Sequence, residues 1–320
     1  MKFKIMRRII YMGTPGFATE PLRALFDAGY DIAAVITAPD KPSGRGLQVN
    51  VSDVKKCALE LGLNILQPTS LKEPGFLNQL KSLKADLFIV VAFRMLPKEV
   101  WSIPSLGCFN LHASLLPQYR GAAPINHSLI NGETITGVTT FFIDSKIDTG
   151  DILFQESCVI EEKDNAGTLH DKLMNIGAKL VVKTANAIFE KSLSSVPQSD
   201  TDEPLKTAPK LSRETGKISW EKSNIDIHNQ VRGLSPYPAA YTEMICGDKI
   251  IQIKIFETEI VTNSSSGPHG SIIKESKHSF IVSCGQGYLR ILDLQPAGKR
   301  RMKASEFLAG IREPENCSMK

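Results

Sequence analysis

The chain has 320 residues, 42% of them hydrophobic and 22% charged, with a formal net charge of +4. That balance excludes a disordered or fibrous protein and leaves room for two cores. No window approaches the roughly 18 consecutive apolar residues of a membrane span, and the apolar run near the N-terminus is too short for the core of a signal peptide. A soluble, cytoplasmic protein is expected. The six cysteines, at 57, 108, 158, 246, 284 and 317, are scattered without a Cys-x-x-Cys pair, so reduced and partly buried thiols are expected rather than zinc or disulfides.

In chain order, residues 9–12 read as a short buried strand that breaks at Gly13-Thr14-Pro15-Gly16. Residues 17–28 have helical spacing, 32–37 form a second strand and 51–61 are amphipathic. Residues 86–92 are almost continuously apolar, as a strand covered on both faces should be. Further strands fall at 108–111 and 138–143, and a long amphipathic helix at 166–191 closes the domain. This alternation predicts an α/β domain with a doubly wound, mostly parallel sheet. Residues 192–210 lose periodicity and gain Ser, Pro, Asp and Lys, the composition of a linker. Beyond it come a helix at 226–233 and short strands at 240–245, 250–258, 279–284 and 288–294, which predict a small β-barrel. The expected division is residues 1–191, a linker at 192–210, and residues 211–320.

The Gly13-Thr14-Pro15-Gly16 turn lacks the G-x-G-x-x-G spacing, and Pro15 removes a backbone donor, so no dinucleotide is invoked. The sharpest constellation is Asn110-Leu111-His112, followed by Ser114-Leu115-Leu116-Pro117-Gln118-Tyr119-Arg120. Strand side chains alternate, so Asn110 and His112 share one face while Leu111 points to the core. Two polar groups then converge at the end of a strand, where ligands bind in open α/β sheets. Taken alone, an Asn-x-His pair is more often a structural hydrogen-bonding pair. Residues 144–151, Asp-Ser-Lys-Ile-Asp-Thr-Gly-Asp, form a carboxylate-rich turn without a calcium-loop pattern or a neighbouring histidine, so no metal is expected. A carboxylate from this turn beside His112 would orient the imidazole and favour its protonated form. Basic clusters at Lys206, Lys210, Arg213 and Lys217, and at Lys299-Arg300-Arg301, suit either a solvated surface or a polyanion.

These motifs carry a family resemblance. Gly13-Thr14-Pro15, Pro39-Asp40-Lys41-Pro42 with Gly44-Arg45-Gly46, the Asn110 to Pro117 core with Arg120-Gly121-Ala122-Ala123-Pro124, and Asp148-Thr149-Gly150-Asp151 mark enzymes that use 10-formyltetrahydrofolate. The later Ile218-Ser219-Trp220, the stretch 232–238 and Gly298-Lys299-Arg300-Arg301-Met302 narrow the likeness, and the chain resembles the methionyl-tRNA formyltransferases nearly end to end. The resemblance implies a Rossmann-like formyltransferase fold followed by an OB-like, tRNA-binding barrel. It implies transfer of a formyl group from 10-formyltetrahydrofolate to the methionine amine of initiator methionyl-tRNA; a metal-free monomer is expected. It places Asn110, His112 and Asp148 at the catalytic centre and Ser114, Leu115, Leu116 and Pro117 at the folate site. Arg45 matches the loop arginine that enters the acceptor-stem region, and Lys206, Lys210, Arg213, Lys299, Arg300 and Arg301 are the remaining candidates for tRNA.

Three positions depart from the family pattern. Leu47 to Ser52 replaces a lysine-rich stretch, Lys146 stands where glycine is common, and Phe93-Arg94 stands where Tyr-Gly is usual. The alternatives are a formyltransferase acting on a small amine such as an amino sugar or purine precursor, a catalytically inactive RNA-binding relative, and a nicotinamide oxidoreductase. The basic clusters oppose the first, the intact Asn110, His112 and Asp148 set opposes the second, and the missing glycine fingerprint opposes the third.

Overall fold

The computed structural model describes residues 7–43, 48–198, 204–261, 267–311 and 313–320. The chain forms two compact units, one drawn from residues 1–120, 136–159 and 170–206, the other from residues 121–135, 160–169 and 207–320.

The first unit is built on a seven-stranded sheet of β1 (Arg8–Gly13), β2 (Asp31–Ile36), β3 (Ile65–Leu66), β4 (Leu87–Val91), β5 (Cys108–His112), β6 (Ile135–Phe142) and β7 (Ile152–Val159). Its order is β7-β6-β5-β4-β1-β2-β3. Pairing is parallel from β3 to β5 and turns antiparallel where β5 meets β6. Both faces are covered, as the unbroken apolar runs anticipate. Ile10, Met12, Phe88 and Val90 face a core with Phe76, Leu80 and Val100, while Ile9, Tyr11, Leu87 and Ile89, on the opposite face, are also fully buried. Each such aliphatic side chain contributes roughly 1.5–3 kcal/mol relative to exposure. The Tyr11 hydroxyl stays satisfied by donating to the Ala18 carbonyl at 2.6 Å.

Several elements escape the sequence pattern. The helix Pro74–Ser82 begins at a proline that tolerates the first helical turn, and its punctuation masks a short amphipathic run. Strand β7 buries little beyond Leu153 and exposes Gln155, Glu156 and Ser157 together, so it shows no clean alternation.

The second unit is antiparallel. Its strands are β8 (Ala240–Cys246), β9 (Lys249–Val261), β10 (Ile272–Lys274), β11 (Phe280–Ser283), β12 (Tyr288–Pro296), β13 (Met302–Lys303) and β14 (Cys317–Met319), ordered β10-β11-β12-β9-β8-β14 with β13 on β12. The two ends of this order meet: Ser271 bridges Ser318, and the Met319 N–H donates to the Gly270 carbonyl at 2.8 Å. The sheet is therefore a nearly closed barrel, which hides edges that would otherwise pair with other chains. The helix Asn224–Leu234, capped by Ser223, sends Ile227, Val231 and Leu234 into the barrel core with Ile253, Phe280, Leu289 and Ile291. Trp220 donates its indole N–H to the Thr242 hydroxyl at 2.9 Å.

The cysteines depart from expectation. Cys246 and Cys317, 71 residues apart, form a disulfide. Barrel closure explains it: β8 and β14 pair antiparallel with these two residues opposite each other, a register invisible in sequence spacing. The other four are free. Burial pushes the thiols of Cys57, Cys108 and Cys284 upward, that of Cys284 to about 12, while Cys158 is partly exposed.

Alkylation with a mass tag at neutral pH should therefore label one site in the native protein, four after denaturation without reductant, and six after reduction. Six tags before reduction would remove the disulfide. In the chain-entropy view, a loop of this length makes reduction cost up to about 4 kcal/mol of unfolding free energy, readable as a lower denaturation midpoint.

Candidate functional site

The site begins on β5, which is held between β4 and β6 so that Asn110 lies opposite Val90 on one side and Phe141 on the other. Leu111 points away and is buried, packed where Gly177 leaves no side chain. Asn110 is half-buried, and among the described residues its amide has no hydrogen-bond partner. His112, 6% exposed, places Nε2 at 2.9 Å from the Tyr119 carbonyl oxygen. A carbonyl only accepts, so Nε2 carries the proton in this contact. The other nitrogen, Nδ1, lies 3.9 Å from Asp148 Oδ2, within electrostatic reach but longer than a hydrogen bond. The structure thus brings Asp148 to the imidazole across 36 positions of sequence.

Asp148 arrives on the loop after β6, and that loop is built from local constraints. The Asp144 carboxylate accepts from the Lys146 N–H and the Thr149 hydroxyl, both at 2.9 Å. Asp148 itself has φ +54°, a left-handed conformation that aspartate tolerates better than most residues. A Cβ on Gly150 would sit 1.7 Å from the Phe142 carbonyl oxygen, so only glycine allows the loop to close there. Lys146 is not among the residues with positive φ; glycine's freedom is not needed at that position.

The stretch after His112 folds back through a network centred on Thr139. Its hydroxyl donates to the Ser114 carbonyl at 2.6 Å and accepts from the Leu116 N–H at 3.1 Å, and Gln155 donates to the Leu116 carbonyl at 2.9 Å. The Ser114 hydroxyl donates to the Gln118 carbonyl at 2.7 Å. Ser114 and Leu116 are buried, while Leu115 and Pro117 are half-buried. Tyr119 has φ +61°, and its N–H donates to the Lys206 carbonyl at 2.6 Å. At the carboxyl end of β4, Arg94 donates to the Pro68 and Thr69 carbonyls and lies over the Phe93 ring, while Met95 is 69% exposed. The departure from Tyr-Gly therefore anchors that loop to the one after β3.

The basic candidates differ in their surroundings. Residues 44–47, Arg45 among them, lie outside the described residues; the flanking segments Lys41–Ser43 and Gln48–Asn50 pair antiparallel. Just before them, hydrogen bonds from Lys55 and Gln67 hold the Asp40 carboxyl below its usual range. Lys206 and Lys210 are exposed. The Arg213 guanidinium lies 5.9 Å from the Tyr241 ring centroid. In the second cluster Lys299 is exposed and Arg300 pairs with Glu306. Arg301 donates both fork nitrogens to Asp293, at 2.9 and 3.1 Å, and covers Phe256 at 4.3 Å. No group of three or more His, Cys, Asp or Glu side chains that could hold a metal occurs among the described residues, and no helix there is long and apolar enough to cross a membrane.

Two contributors had no signal in the sequence reading. Thr139 lies inside a strand, and Gln198 lies in the aperiodic stretch after the long helix. Gln198 donates to the Asp148 carbonyl at 3.0 Å and the Gly150 carbonyl at 2.8 Å, and accepts from Arg120 at 2.6 and 3.1 Å. Only three-dimensional proximity reveals it.

Residues 7–185 match the formyl transferase family model and residues 210–312 its C-terminal domain. The chain is 50% identical over 309 residues to a methionyl-tRNA formyltransferase of Azobacteroides pseudotrichonymphae, covering 95% of each chain. It is 47% identical over 316 residues to that of Bacteroides fragilis, covering 98% of each. Among solved structures, an N-formyltransferase from Helicobacter canadensis in complex with folinic acid and dTDP-3-aminofucose matches with a TM-score of 0.65 at 20% identity, covering 93% of this chain and all of that one. The last likeness shows the shared fold; the full-length identity to the first two shows the family, and this chain belongs to the methionyl-tRNA formyltransferases of the formyl transferase family.

Proposed function

We propose that the chain transfers the formyl group of 10-formyltetrahydrofolate to the methionine amine of initiator methionyl-tRNA, with Asn110, His112 and Asp148 at the reacting centre. The observation that carries this reading is the Asp148 carboxylate 3.9 Å from Nδ1 of a tautomer-fixed His112, at the end of a central strand that also carries the unpartnered Asn110 amide two residues earlier. When bound, the folate supplies an activated formyl carbon. The half-buried Leu115 and Pro117, next to buried Ser114 and Leu116, fit its apolar ring system.

Attack by an amine drives negative charge onto the formyl oxygen, and the site's work is to stabilise it. Asn110 offers an amide N–H, and a proton on Nδ1 of His112, the ring nitrogen that no hydrogen bond occupies, is a second donor; such donors are commonly worth about 3–4 kcal/mol of barrier each. Asp148 faces Nδ1 and holds the imidazole in place. A proton must leave the methionine amine and one must reach the departing nitrogen, and His112, Asp148 or a water between them can relay these. No covalent enzyme intermediate is required.

The catalytic part spans residues 1–191, and the linker at 192–210 and the barrel at 211–320 grip the tRNA. Arg45, Lys206, Lys210, Arg213, Lys299, Arg300 and Arg301 act on it through phosphate contacts. Arg301 does so while braced by Asp293, and contributes least freely. One chain carries every assigned group, so a monomer suffices, and this reading places it in the cytoplasm.

The direct test is transfer of labelled formyl from 10-formyltetrahydrofolate to charged initiator tRNA, with charged elongator methionine tRNA and free methionine alongside. Rapid labelling of the initiator alone is expected; labelling of none, despite folate binding, moves the reading to a small-amine acceptor. In the same assay His112→Ala and Asp148→Ala should each lose at least about a hundredfold in turnover. Near-wild-type turnover in a folded variant removes that residue from the mechanism. Affinity for tRNA should fall steeply between low and moderate salt as phosphate counterions are released; a flat titration contradicts the phosphate contacts.

A further inference from the structure

Gln198 is placed to control both sides of the His112 ring. Its amide is used completely: Nε2 donates to the carbonyls of Asp148 and Gly150, and Oε1 accepts from Nε and a terminal nitrogen of Arg120. Arginine has only donors and a carbonyl only accepts, so the amide has one orientation. Its neighbours grip the same loop. Val196 and Ile152 exchange backbone hydrogen bonds at 2.8 and 2.9 Å, and the Ser195 hydroxyl donates to Asp151 Oδ2 at 3.1 Å.

The two segments that Gln198 ties together are those that meet the two nitrogens of His112. Asp148 faces Nδ1. Arg120 directly follows Tyr119, whose carbonyl receives Nε2–H. Both Asp148 and Tyr119 hold left-handed backbones, a conformation that persists where surrounding contacts enforce it. The Gln198 bonds fall on the Asp148 peptide itself and on the residue next to Tyr119.

We infer that Gln198 is a positioning residue, a crosspiece that sets the spacing of the Asp148 and Tyr119–Arg120 segments and so clamps His112 between them. The inference rests on the formyl-transfer reading above. It does not make Gln198 a participant in the chemistry; it acts through Asp148 and the imidazole. A crosspiece of this kind governs turnover more than substrate affinity, because it aligns reacting groups without touching either substrate.

The test is steady-state formylation of charged initiator tRNA by the full chain carrying Gln198→Met, which keeps length but no hydrogen bond, and Gln198→Glu, which keeps the Arg120 contact but cannot donate to two carbonyls. Both should lose about tenfold to a hundredfold in kcat, with KM for tRNA and folate changed by less than about twofold. The discriminating readout is the pair Gln198→Met with Asp148→Asn: on the Asp148→Asn background, Gln198→Met should cost less than about twofold, because the partner it positions is already disabled. Equal losses on both backgrounds, a loss confined to KM, or full activity in Gln198→Glu would each overturn the inference. A crystal structure of Gln198→Met supplies a readout besides activity. Separation of Asp148 Oδ2 from His112 Nδ1 beyond its wild-type distance is expected, and an unmoved loop overturns the role. Absence of formylation by the wild-type chain is a different result: it removes the reaction, and this inference with it. Gln198→Asn, one methylene shorter and still polar, replaces Gln198→Met if the latter does not fold, with the same outcomes.

Discussion

A carbonyl oxygen can only accept a hydrogen bond, and that one restriction organises the site. The Tyr119 carbonyl fixes a proton on Nε2 of His112 and leaves Nδ1 to face Asp148. Tyr119 holds a left-handed backbone there, and its N–H is taken by the Lys206 carbonyl. The imidazole is thus held by a strand end, by a turn seven residues later and by a loop 36 residues later. Each depends on contacts outside its own segment.

These supports differ in stiffness. Asn110 and His112 sit on a strand paired on both sides, so their Cα positions are set by backbone ladders and by Leu111 packed against Gly177. Asp148 sits on a loop closed by Asp144, by the glycine at 150 and by the Gln198 amide. Loops carry function where a scaffold positions them. Here the scaffold supplies the asparagine and histidine, and borrowed hydrogen bonds supply the aspartate.

Legibility in the sequence follows the range of each interaction. Alternating strands and helices in the first half could be read because hydrophobic periodicity is local, and the shared face of Asn110 and His112 followed from the two-residue repeat of a strand. The approach of Asp148 to His112 could be suspected from residue types but not measured, since it needs an antiparallel β6 and a loop that turns back. Gln198 lies where periodicity is absent, and a glutamine in an aperiodic stretch carries no signal. The Cys246–Cys317 bond went against expectation for the same reason: 71 residues of separation conceal a direct cross-strand pair. Edge strand β7 was missed because exposure on both faces erases alternation.

The barrel shows the converse, a place where charge in the sequence is partly spent on the fold. Arg301 looks like one of three consecutive free cations, yet Asp293, nearly buried on β12, takes both of its fork nitrogens, and Phe256 lies beneath it. A buried carboxylate without such a partner would be costly, so the arginine is first a structural counter-ion. Lys303 approaches the same carboxylate at 3.3 Å. A basic run therefore overstates the charge available to a polyanion. Of the three residues, Lys299, which precedes the two paired arginines, is the one whose charge the fold leaves most fully to solvent.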